Sequence, residues 1–259
     1  MSIAEIDVQH RDAICHLVIR RPERKNALTH TMYSALNEAF LAADSNPDVR
    51  VILISGEGEN FSSGNDLKDF LQYPPIAEDA PVMVMLKTLL QVKKPIVAAV
   101  SGYAIGIGTT LLMHCDLVYC DASTKFQLPF VSLGLCAEAG SSFALPVMAG
   151  HRRAAELLLL GDVFNPETAK EIGLINAVIE HESVLDYALK KAQQLANQPF
   201  ASVLLTKALL KKPQIDAFSE HMQMEGRHFM KRVTSPEAIE AFSAFQEKRK
   251  PNFRQFDSV

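Results

Sequence analysis

The sequence predicts an α/β domain followed by a helical C-terminal region, and three observations carry that prediction. Strand-like and helix-like runs alternate from the start, the early strands are short β-branched apolar runs, and beyond residue 200 nearly everything has helical spacing. With 259 residues the chain can bury a substantial core without disulfides or a structural metal.

Taken in order, residues 13–19 read as a strand, 31–43 carry apolar residues at helical spacing, and 50–55 form a second strand. A helix follows over about 80–92, then a buried strand at 96–100, a glycine-rich turn, a helix through Leu112 and a strand at 117–120. This is a repeated strand, turn, helix unit. After Gly150 the segments 151–160, 166–172 and 183–197 read as helices, with only 175–179 strand-like between them. Residues 1–199 are therefore expected to form the α/β core, and 200–259 a helical C-terminal module. Within the latter, Ser235-Pro236-Glu237 is a helix start in which Ser235 caps and Pro236 takes the first turn. Basic residues 248–250 before Pro251 mark the end of that last helix.

Composition excludes several classes of function. Hydrophobic residues at 48% and charged residues at 22% are those of a folded globular chain, and a net charge of −4 offers no basic stripe for nucleic acid. The N-terminal residues lack the basic start and apolar stretch of a signal peptide, no run is long enough to span a membrane, and the last residues do not match a peroxisomal address. A cytoplasmic location is expected. The scattered Cys15, Cys115, Cys120 and Cys136 suit reduced thiols, and the eight histidines form no metal-binding pairs, so no metal is expected.

Three segments can carry chemistry. Phe61-Ser62-Ser63-Gly64-Asn65-Asp66-Leu67 follows a strand, and small residues around Gly64 let backbone approach a ligand; Asn65 or Asp66 capping a helix is the alternative reading. The stretch Ser101-Gly102-Tyr103-Ala104-Ile105-Gly106-Ile107-Gly108-Thr109-Thr110 has neither the dinucleotide spacing nor the P-loop lysine. It offers either unpaired N–H groups at a helix start, suited to a developing oxyanion, or tight helix packing. Finally, Leu135-Cys136-Ala137-Glu138-Ala139-Gly140-Ser141-Ser142 sets one carboxylate among small and apolar residues. Desolvation there raises the Glu138 pKa and makes it a better base, although a helix-start glutamate has the same local pattern.

Read together, these segments resemble the crotonase (enoyl-CoA hydratase/isomerase) superfamily over essentially the whole chain. Lys94-Pro95-Ile96-Val97-Ala98-Ala99-Val100-Ser101-Gly102, Cys115-Asp116-Leu117 and the stretch from Pro236-Glu237-Ala238 through Phe253 add to the match, as does Arg21-Pro22-Glu23-Arg24-Lys25-Asn26-Ala27-Leu28. The resemblance implies a spiral of β-β-α repeats with C-terminal helices that build trimers or dimers of trimers. It implies an acyl-CoA substrate and no separate cofactor. By the same resemblance Arg24, Lys25 and Ala27 meet the nucleotide end of CoA, and Ser63, Gly64, Asn65, Asp66 and Leu67 belong to the substrate loop. The two oxyanion-hole N–H groups fall at Ser63 and Ile107.

The hydratase branch places a glutamate at each of two positions that are Thr110 and Phe130 here, and neither can serve as acid or base. The peroxisomal-type Δ3,Δ2-enoyl-CoA isomerase branch uses one glutamate in a Leu-x-x-Glu-x-x-Ser-Ser stretch, which residues 135–142 resemble. Glu138 is then the catalytic base. Ala137, Ala139 and Gly140 depart from that branch and leave the acyl chain open. Isomerisation or hydration of an unusual acyl-CoA, and acyl-CoA binding without turnover, are the alternatives. Asp66, Asp69 and Asp116 read as structural, and one of Met83 and Met85 as core.

Overall fold

The computed structural model describes residues 5–256; residues 1–4 and 257–259, on which the reading of the two ends partly rests, lie outside them. The first half comprises β1 (Ile6–Arg11), β2 (Ile14–Ile19), α1 (His30–Ser45), β3 (Val51–Gly56), α2 (Leu67–Gln72), α3 (Pro81–Gln91), β4 (Ile96–Val100), β5 (Tyr103–Ile105) and α4 (Ile107–Thr110). There follow β6 (Leu117–Asp121), β7 (Lys125–Gln127), α5 (Ser141–Ala149), α6 (His151–Ala155), α7 (Pro166–Glu171), β8 (Ala177–Ile179) and α8 (Val184–Ala196). The chain closes with α9 (Phe200–Lys211), α10 (Ile215–Arg232) and α11 (Pro236–Gln246).

A six-stranded sheet runs in the order β1-β2-β3-β4-β6-β8, antiparallel only at its β1–β2 edge. β3 and β4 are apolar and buried nearly throughout, as parallel strands covered on both faces require. Alternation divides their side chains: Val51, Leu53, Val97 and Ala99 face α8, while Ile52, Ile54, Ile96 and Ala98 face the larger core. Ala188, Ala192 and Ala196, four residues apart on α8, present the small surface that lets the helix lie close to the sheet.

A second, narrower ladder stands beyond the carboxyl ends of the main strands. β5 pairs with β7 in parallel, and single bridges Leu28–Asn65, Ser62–Ala104 and Phe126–Phe164 extend it. Each turn of the chain thus contributes one strand to the main sheet and one short piece to this ladder, which is the α/β spiral the sequence predicts.

Three strands escape the sequence reading. β1 is a polar edge strand with most of its side chains exposed, so it carries no apolar alternation. Its hairpin to β2 turns through Asp12 and Ala13, both at positive φ, without the glycine that announces such turns. β5 and β7, at three residues each, are too short to show a period. Two helices also differ from expectation. The helix after the glycine turn is a single α-turn followed by a 3-10 turn at Leu111–His114, and the 151–160 helix becomes π-helical over Glu156–Leu160.

At the C-terminal end Ser235 caps α11 by accepting from the Ala238 N–H, as expected. The helices beyond residue 200 also pack on the preceding core: α10 lies against α3 and α5, and together with α11 it supplies walls of the cleft and cavity described below. No helix among the described residues is long and apolar enough to cross a membrane.

Candidate active site

The loop after β3 and the turn after β4 meet at the second ladder. Ser62 donates its N–H to Tyr103 O and accepts from Ile105 N–H, so residues 61–66 lie directly on β5. A side chain at Gly64 would meet Ile105 O at 2.7 Å, and its φ of +89° is one that other residues rarely adopt. Asp66 caps α2 by accepting from the Lys68 and Asp69 N–H groups, so the loop is both a ligand approach and a helix start.

This geometry corrects one assignment. The Ser63 N–H donates to Lys25 O at 2.9 Å and is not free to hold an oxyanion. Two residues on, Leu28 donates to Gly64 O and Asp66 donates to Leu28 O, a parallel bridge that turns the Asn65 N–H to the other side. Asn65 N–H and Ile107 N–H, the latter at the first position of α4, donate to no protein acceptor among the described residues. Both border the same cleft.

Glu138 sits on the loop that leads into α5 and is buried. Thr110, three residues after Ile107 on the α4 turn, donates its hydroxyl to Glu138 Oε1 at 2.5 Å. Burial pushes the Glu138 carboxyl up to about 8; the Thr110 hydrogen bond opposes this and the charge of Glu225 adds to it. The Tyr33 hydroxyl donates to Asn65 Oδ1 at 2.5 Å, and burial followed by the Glu138 charge raises its pKa. Glu138, the α4 turn and the Asn65 loop therefore form one neighbourhood.

A cleft of about 810 Å³ opens in front of the two free N–H groups, and Arg24, Lys25, Ala27, Ser63, Gly64, Asn65, Asp66, Leu67 and Ile107 all line it. Its walls are apolar, with Phe70, Phe130, Leu135, Phe229 and Phe242, the Phe70 ring meeting the edges of Phe229 and Phe242 at 6.3 and 5.8 Å. Its basic rim is wider than the sequence reading placed it: Lys68 and Lys248 join Arg24 and Lys25, and among the described residues Asp66 is the sole carboxylate lining it. That carboxylate is already engaged. Burial works against its charge, yet the Arg21 ion pair at 2.8 Å and the α2 N–H groups hold it below its ordinary range. Lys248 was missed because nearly two hundred residues separate it in sequence from the loop it faces.

Arg21 and Asn26 were quoted only as part of the early motif, and the structure gives them work. Asn26, fully buried at positive φ, accepts from Arg21 N–H and donates to Glu57 O and Asn60 O, fixing the turn that carries Arg24, Lys25 and Ala27. Lys25 lies over the Tyr103 ring at 4.5 Å.

Glu138 itself borders a separate small cavity of about 30 Å³, lined by Met83, Leu86, Met222, Gly226 and Met230. Met85 is fully buried in the core, so the two methionines divide as expected. Asp69 accepts from His30 N–H, and Asp116 accepts from Ile96 N–H and pairs with Lys207 at 2.7 Å, which makes both structural. Burial, with the charges of Glu225 and Glu138 adding, pushes the Cys136 thiol up to about 11, which argues against a thiolate nucleophile. Sequence reasoning also missed Glu225, whose signal is a charge on the stripe Met222, Glu225, Phe229 that α10 buries.

Comparison with known proteins identifies the family of the chain. A family model described as enoyl-CoA hydratase/isomerase matches residues 9–256. A 1,2-epoxyphenylacetyl-CoA isomerase of Escherichia coli (strain K12) is 32% identical, with 92% of this chain and 93% of its own covered. A 2,3-dehydroadipyl-CoA hydratase of the same organism is 28% identical over 97% of this chain and 99% of its own. Among solved structures, Pseudomonas aeruginosa OdaA superposes with a TM-score of 0.91 at 45% identity, covering 94% of this chain and 99% of that one. The chain belongs to the enoyl-CoA hydratase/isomerase family of the crotonase superfamily, enzymes that act on acyl-CoA thioesters.

Proposed function

We propose that the protein is a Δ3,Δ2-enoyl-CoA isomerase. The observation that carries this reading is a buried carboxylate, Glu138, hydrogen-bonded to the α4 turn that also presents the free Ile107 N–H. In its ionised form Glu138 takes a proton from C2 of a 3-enoyl-CoA. The electron pair spreads into the thioester, and the Asn65 and Ile107 N–H groups receive the enolate oxygen. The protonated Glu138 returns the proton to C4, leaving the double bond between C2 and C3. The step needs no cofactor beyond the CoA of the substrate.

Hydration would need a second acid or base. Thr110 and Phe130 occupy the places where the hydratase branch carries carboxylates, and Phe130 is buried in the apolar wall. A dry wall protects a dienolate from water. The rim of Arg24, Lys25, Lys68 and Lys248 supports binding of the CoA phosphates. Exposed Leu205, Leu209 and Leu210 on α9 support a homotrimer or dimer of trimers, which analytical ultracentrifugation tests.

The test is conversion of 3-enoyl-CoA to 2-enoyl-CoA by native protein and by Glu138→Gln, with hydration of 2-enoyl-CoA followed in parallel. Isomerisation that falls by orders of magnitude in the variant, with negligible hydration, supports the reading; native protein that isomerises nothing sinks it. The similarity to a 1,2-epoxyphenylacetyl-CoA isomerase favours a second reading in which the same base acts on a ring substrate, and 1,2-epoxyphenylacetyl-CoA belongs in the same assay.

A further inference from the structure

The turn that carries Glu138 is held by residues far away in sequence. Ala139 adopts φ +59° and Gly140 φ +79°, two consecutive left-handed residues immediately after the base, the first without the freedom of glycine. From one side His114, buried and held neutral because burial lowers its pKa to about 4, donates Nε2–H to Ala139 O at 2.9 Å. On the other side stands α10. Its buried Glu225 accepts from Gly140 N–H at 2.5 Å, from Ser142 N–H at 2.8 Å and from the Ser142 hydroxyl. The Phe218 ring lies so close that a Cβ on Gly140 would collide with it.

We infer that Glu225 is a positioning residue for Glu138: its carboxylate pins the strained 139–142 turn and places a fixed negative charge behind the base. The inference rests on the proposed role of Glu138. Glu225 is buried and spends both oxygens on this turn, at the start of the helix that follows the base. Burial is the larger cause of the raised Glu138 pKa, and the Glu225 charge works in the same direction. Other titratable groups surround Glu138 and its turn. Tyr33 comes from α1, His114 from the 3-10 turn, Cys136 from its own loop and His221 from α10, while Glu78 and Lys87 border its cavity.

The experiment measures kcat and kcat/KM for 3-enoyl-CoA isomerisation from pH 5 to 10 in native protein, Glu225→Gln, Ser142→Ala and Glu138→Gln, with circular dichroism to check folding. Glu225→Gln is expected to lose between about tenfold and a hundredfold in kcat, because a small displacement of a reacting group costs that much, with KM within about twofold. The acid limb of its kcat/KM profile moves to lower pH. Ser142→Ala keeps the charge and loses one contact, so its kcat falls less and its limb stays in place. A folded Glu225→Gln with native kcat and a native limb overturns the inference. If Glu225→Gln does not fold, an unchanged kcat in Ser142→Ala overturns it and a reduced kcat with an unmoved limb supports it. Turnover that survives in Glu138→Gln removes the base assignment and this inference together, whereas a dead Glu138→Gln beside a native-like Glu225→Gln removes this inference alone.

Discussion

The Thr110 hydroxyl and Glu138 Oε1 stand 2.5 Å apart, both wholly within the protein, and this hydrogen bond stabilises the ionised carboxylate against its apolar surroundings. In place of a second carboxylate the α4 turn offers a donor. A site with one base and one donor moves a proton within a substrate more readily than it adds water across a double bond.

Thr110→Val removes that donor, so the Glu138 pKa rises further and less base is present at neutral pH. The kcat/KM at pH 7 is expected to drop by roughly tenfold or more, in line with a hydrogen bond to a charged group. Thr110→Ser restores most of it. Because burial pushes the carboxyl up to about 8, kcat/KM of native enzyme should climb with pH through that value and level off above it.

Stability should follow the same carboxyl in the opposite sense. Between its ordinary value and about 8, Glu138 is protonated when folded and ionised when unfolded, so the native state binds more protons and stability falls as pH rises through that window. Glu138→Gln lacks this loss. Thermal melts at pH 5 and pH 8 should show the variant gaining on native protein as pH increases; a pH-independent difference would refute the raised pKa.

The basic rim predicts a salt-dependent KM. Lys68→Ala and Lys248→Ala each remove a charge from the cleft edge without touching the base. KM for an acyl-CoA should rise several-fold at low salt, with kcat nearly unchanged, and the difference should shrink as salt screens the rim.

Gly226 lies mid-helix on α10, where an added Cβ would meet Met83 Sδ at an ordinary 3.6 Å. Gly226→Ala should therefore raise stability by about 0.5–1 kcal/mol through helix propensity alone. Gly226→Leu overfills a cavity of about 30 Å³ and should instead lower the melting temperature.

Glu138 stands out in the sequence because a lone carboxylate among small residues is a short, local pattern, and the structure buries it as that pattern leads one to expect. The oxyanion donor is harder to read, since whether Ser63 or Asn65 has a free N–H depends on the Lys25 carbonyl, brought in from a different turn of the chain. Glu225 shows the same limit: its position on the buried stripe of α10 is legible, but its partners, Gly140 and Ser142, are chosen by how α10 packs. Strands β3 and β4 were visible as continuous apolar runs; polar β1 and the three-residue β5 and β7 exist through their partners more than through their own residues.

The contact between Gly140 and Glu225 spans 85 residues. A ribosome that has just completed the sheet has therefore made the base but not the group that seats its turn. On the roles proposed for Glu138 and Glu225, a nascent chain is expected to stay idle until α10 emerges and docks, and a chain cut short before α10 would carry Glu138 without its support.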